Sequence, residues 1–76
     1  MLAKHKKRLA AVWDKLGEIQ AEVTAVAAEH AEYMDARSEK WHESDAGEQF
    51  DMDQGELETM ESSLEEVVAA LDNLIH

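Results

Sequence analysis

The side chains able to do chemistry in this chain are eighteen carboxylates and four histidines, with no cysteine beside them. General acid–base work needs a carboxyl or imidazole whose pKa is displaced by burial or by a close like charge. Carboxylates on water-facing helical surfaces have neither. No Ser, His and Asp grouping and no Gly-rich phosphate loop stands in the sequence, so no catalytic residue is assigned and the chain reads as non-enzymatic. His5, His30, His42 and His76 lack a His-x-x-x-His spacing that would set two ligands on one helical face. Asp51, Asp53 and Gly55 echo a calcium loop, but the fifth position is Gly55 and the twelfth is Ser62, where acids are needed. No metal and no cofactor is expected. His30 falls on an apolar stripe and reads as a structural, partly buried histidine. The sharper alternative is a histidine-dependent oligomer that responds to zinc or to pH near about 6.5.

What remains is carboxylate as surface charge. Residues 43 to 76 carry eleven Asp or Glu and no Lys or Arg. Asp51, Glu58, Glu65 and Asp72 recur every seven residues, about 10.5 Å along a helix axis. Glu61 and Glu66 fill the gaps at three- and four-residue spacings, where helical neighbours lie about 5–6 Å apart at Cβ. An ordinary solvated helix interleaves both signs of charge to gain i, i+4 pairs. A row of carboxylates alone imitates a phosphate backbone and suits the groove of a DNA- or RNA-binding protein. The bland counterpart is a charged face that only confers solubility.

The elements that must hold this row are helices. With no Pro, three Gly and a net charge of −11 over 76 residues, β structure is not expected. Leu2, Leu9, Leu16, Val23 and His30 recur at one heptad position, and Val12, Ile19, Val26 and Tyr33 at another. Phe50, Leu57, Leu64 and Leu71 continue the first position in the second half, and Met60, Val67 and Leu74 the other. Two such stripes predict an antiparallel, coiled-coil-like hairpin. Helix 1 is expected over about 2–41, a turn over about 42–45, and helix 2 over about 46–75. Asp45 with Glu48 resembles a capping box, Ser44 is the alternative N-cap, and Ser38 could start a short separate helix containing Trp41. A fold-back at 44–45 sets Arg37 near Asp53, His30 near Met60 and Ile19 near Leu71, and brings residue 76 level with residue 12 or 13.

A chain this short barely closes one core, and oligomerisation is the common remedy. Trp13, Val68 and Ile75 add an apolar flank beside the stripes. Leu9, Trp13, Leu16, Val68 and Ile75 are therefore the expected oligomer interface, joining two hairpins into a homodimeric four-helix bundle. Residues 1 to 15 carry five Lys or Arg against Asp14 alone, while residues 16 to 76 carry Arg37 and Lys40 against seventeen acids. That balance opposes direct nucleic-acid binding and favours a basic protein surface as partner. The apolar run Leu9 to Trp13 is too short for an export signal or a membrane span, so a cytoplasmic protein is expected, without membrane contact.

The segment Asp35-Ala36-Arg37-Ser38-Glu39-Lys40-Trp41-His42-Glu43-Ser44-Asp45-Ala46-Gly47-Glu48 resembles the linker of small acidic two-helix proteins of bacteriophages and prophages. In them a similar Ser-Glu-Lys-Trp and Ser-x-x-Gly-Glu segment joins two Glu- and Leu-rich helices. The resemblance implies a mobile-element origin in a bacterial host, and Trp41, Ser44 and Gly47 as turn-defining residues. By analogy with phage proteins that block restriction, CRISPR and other DNA-binding machinery, it also implies an inhibitor. The expected function is thus a nucleic-acid mimic. Asp51, Glu58, Glu61, Glu65 and Asp72 would hold a host DNA- or RNA-binding protein of defence or regulation. The competing expectation is a phage structural or assembly coiled coil whose acidic surface serves solubility alone.

Overall fold

In the computed structural model, which describes all 76 residues, the chain is entirely helical: α1 spans Ala3–Asp35, α2 Glu39–His42 and α3 Asp45–Ile75. The long helices α1 and α3 pack antiparallel into a rod of 57 × 15 × 14 Å, with α2 across one end. A radius of gyration of 17.2 Å exceeds the roughly 11 Å of a compact chain of this length. No helix is long and apolar enough to cross a membrane.

The chain reverses in two steps, not at one turn. α1 ends at Asp35, where the Ala36 and Arg37 amides bond to the Glu32 and Met34 carbonyls. The expected continuation of the first helix to residue 41 is interrupted because Ser38 leaves helical geometry and its hydroxyl accepts from the Trp41 amide at 3.2 Å. That cap opens α2, as the Ser38 alternative foresaw. Ser44 caps α3 in the same way, accepting from the Gly47 amide at 3.2 Å while its hydroxyl donates to the Trp41 carbonyl. Asp45 and Glu48 occupy the first turn, where negative charge suits the helix dipole. Replacing Ser44 with Ala removes the cap and its link to α2; a loss of about 1 kcal/mol in chemical denaturation is expected.

This double reversal centres the hairpin near Trp41 and His42 and shifts its register. His30 meets Gln54, with Nδ1 2.7 Å from Oε1, and its ring stacks on Phe50 at 5.2 Å between centroids. It does not lie at Met60. Arg37 lies over the Tyr33 ring at 4.3 Å and makes no ion pair with Asp53, which instead accepts from Gln49 at 3.0 Å. Carried along the rod, the His30–Gln54 register sets Trp13 opposite Leu71, Ala27 opposite Leu57 and Met34 opposite Phe50, and Ile19 well away from Leu71. The far end closes where the Trp13 and His76 rings meet edge-to-face at 5.7 Å. Residues 1 to 8 are exposed beyond it.

The phase of the seam also differs from the expectation. The covered residues of α1 are Leu9, Trp13, Leu16, Gln20, Val23, Ala27, His30 and Met34, with Ala10 and Ala31 half-covered beside them. Along α3, Phe50, Leu57, Leu64 and Leu71 are joined by Val68 and Ile75. Trp13, Val68 and Ile75 are therefore part of the seam inside one hairpin, and the flank they were expected to form is elsewhere. Val12, Ile19, Val26, Tyr33, Met60, Val67 and Leu74 face water, each 42–48 % exposed. Ala27 is one physical reason: small and buried in the seam, it lets α1 approach α3 where a bulkier side chain would hold the helices apart.

Candidate interaction surfaces

The hairpin presents two broad faces of opposite character. On α3 the row Asp51, Glu58, Glu65 and Asp72 lies about 80° from the centre of the seam on one side, and Met60, Val67 and Leu74 about 80° on the other. In an antiparallel pair, equivalent rows of the two helices share a face. Ile19 and Met60 accordingly line one groove of about 350 Å3 together with Val23 and Leu64.

The acidic face is open and uncompensated. Asp51, Glu58, Glu65 and Asp72 are all exposed and Glu61 is half-covered. No Lys or Arg of the chain lies within ion-pair distance of any carboxylate; the one such contact is His76 Nδ1 to Asp72 at 2.5 Å. Glu61 accepts from the Thr24 hydroxyl at 3.4 Å, which ties it to α1. Beside the acids, α1 contributes Ala10, Gly17, Thr24 and Ala31, a low floor above which the carboxylates stand clear. The Lys4 to Arg8 stretch does not reach Glu61, Glu65 or Glu66 within one chain.

The apolar face carries seven large side chains at heptad spacing, each about half exposed, and only at the α2 end is one of them, Tyr33, shown packed by Arg37, Trp41 and Phe50. The seam reading missed it because both stripes share the position of Leu9, Leu16 and Val23, so periodicity alone fits either pairing. A usable signal lay in His30 and Gln54, two polar side chains that satisfy one another inside the seam. Gln54 Nε2 donates to the Ala27 carbonyl at 3.4 Å, so its Oε1 is left to accept from His30 Nδ1–H.

At the α2 end, Tyr33 stacks on Phe50 at 5.3 Å, and Trp41 meets both rings edge-on at 6.2 and 5.2 Å. This cluster and the two serine caps give Trp41, Ser44 and Gly47 their part in the reversal. No group of three or more His, Asp or Glu side chains converges as a metal site. Compared with protein-family models, with curated proteins and with solved structures, the chain has no match.

Proposed function

We propose that this is a non-enzymatic interaction protein whose acidic α3 face occupies the basic groove of a nucleic-acid-binding host protein, in the manner of a phage or mobile-element inhibitor. The observation that carries it is the exposed carboxylate row of α3, with no Lys or Arg paired to it. Ten acids along the 31 residues of α3, about 46 Å, make roughly one charge per 4–5 Å over all sides of the helix, and the five of the contact row follow one another at about 8 Å, against one charge per about 3.4 Å along a nucleic-acid strand. Asp51, Glu58, Glu61, Glu65 and Asp72 make the contact. Two hairpins join into a homodimeric four-helix bundle through the apolar face, which lies about 160° around α3 from the acid row and leaves it uncovered.

The test is capture of partners from bacterial lysate at low and high salt, followed by charge reversal of Glu58, Glu61 and Glu65 to Lys. Binding of a nucleic-acid-binding protein that falls at least tenfold with salt, and is lost on reversal, is the expected result. A partner that still binds the reversed variant sinks the mimicry. The seven exposed apolar side chains favour a second reading, an assembly protein whose acids only solubilise it. Under that reading Ile19 and Val67 substitutions abolish partner binding and charge reversal does not.

A further inference from the structure

The geometry points to a specific homodimer: two copies stack through the exposed stripe of Val12, Ile19, Val26, Met60 and Val67, with α1 antiparallel to α1 on a two-fold axis at Ile19. This deepens the paired-hairpin part of the reading above and rests on it.

Area comes first. A compact folded chain of 8.6 kDa exposes about 4,700 Å2, and this rod exposes 5822 Å2. The excess of roughly 1,100 Å2 covers the 800 Å2 or so that each partner contributes to a stable interface. The stripe is continuous over both helices, and on α1 it is apolar at every heptad step from Val12 to Tyr33. One hairpin has nothing left to cover it, since its own seam uses the other flank of each helix.

Charge then selects the partner and its orientation. The row bordering the stripe on α1 reads Arg8, Lys15, Glu22 and Glu29, basic in its first half and acidic in its second. Such a row is self-complementary when reversed. With Ile19 on its own copy and Val12 on Val26 of the second copy, Arg8 falls beside Glu29 and Lys15 beside Glu22, each twice by symmetry. Bordering rows of this kind set orientation in helical bundles. On the other side of the bundle α3 runs antiparallel to α3. There Val67 rests on Ser63 and Met60 on Ala70, small residues that admit close approach. The acid rows point away on the two outer faces.

The other two-fold arrangement, with its axis along the rods, sets α1 against α3 of the second copy. In the hairpin's own register Glu29 then confronts Glu56, and Lys15 meets Ala70. It gains no ion pair and adds a like-charge contact on each side of the bundle. The axis across the rods is therefore the preferred solution.

Because the chain lacks cysteine, single-cysteine variants read the geometry directly. Sedimentation of the native chain gives a dimer mass at micromolar concentration. Ile19→Cys forms a disulfide-linked dimer under mild oxidation. Val26→Cys alone does not, since its copy lies about 21 Å along the axis, beyond disulfide reach of roughly 7 Å. Mixed Val12→Cys and Val26→Cys chains cross-link. Lys15→Glu weakens the dimer about tenfold with unchanged helicity, and adding Glu22→Lys restores it. A monomer at every concentration overturns both this arrangement and the paired-hairpin reading. A stable dimer in which Ile19→Cys stays reduced, or in which Glu22→Lys gives no rescue, overturns the arrangement alone; neither outcome touches the lysate test of the acidic face.

Discussion

Gly47→Ala is expected to destabilise the protein by about 2–3 kcal/mol, a fall in Tm on the order of 10–20 °C for a domain of this size. Gly47 sits in the first turn of α3, buried under α2. A Cβ built on it would lie 2.2 Å from the Trp41 carbonyl oxygen, 2.7 Å from the His42 Cα and 2.8 Å from the His42 carbonyl oxygen. All three are backbone atoms, so no side chain can swing aside. α2 must lift from α3, and the Ser44 cap and the Trp41–Phe50 contact go with it. The other two glycines provide a control of opposite sign. A Cβ at Gly17 or Gly55 meets nothing within 4 Å, and both lie inside helices. Gly17→Ala and Gly55→Ala should each gain roughly 0.5–1 kcal/mol, because alanine has less backbone entropy to lose. Thermal unfolding followed by circular dichroism separates the three. A Gly47→Ala variant melting with the native chain would falsify the close approach of α2 to α3.

Leu71→Ala is expected to cost roughly 2–4 kcal/mol, while Leu74→Ala, less than one turn on, costs under about 1 kcal/mol. Leu71 is 8 % exposed in the seam and Leu74 is 47 % exposed on the open face. The contrast measures the phase of the helix pair. A seam built on the heptad positions of both Leu71 and Leu74 would make the two losses similar, and urea titration of both variants decides between the pairings. In the proposed dimer Leu74 lies at the rim near Glu56 of the second copy, so its substitution stays mild there as well.

Much of the fold was legible because it rests on local chemistry. The apolar repeats at Leu9, Leu16 and Val23 and at Leu57, Leu64 and Leu71 specify helices with a buried stripe whatever they pack against. Ser38 and Ser44 announce helix starts because a serine hydroxyl can take an orphan amide of the first turn. The acidic row was legible for the same reason: its spacing depends on helix geometry alone. Register was less accessible. Two caps six residues apart allow one turn or two, and only packing of Trp41 against Tyr33 and Phe50 chooses the pair. The expected Arg37–Asp53 and His30–Met60 contacts moved with that choice.

The sequence by itself determined that the chain is helical, that its helices are long and two-sided, and that its second half bears an uncompensated file of carboxylates. Tertiary structure alone decided which of two apolar stripes the hairpin keeps for itself. The stripes share a heptad position, and the one left outside is the more uniformly apolar, since the seam takes in Gln20, Gln54 and Glu61, so transfer free energy alone does not make the choice. The choice falls to non-local terms: the close approach that Ala27 permits, and the mutual satisfaction of His30 and Gln54 across the seam. Those terms exist only once two distant segments meet, and they leave Ile19, Val26 and Val67 turned outward.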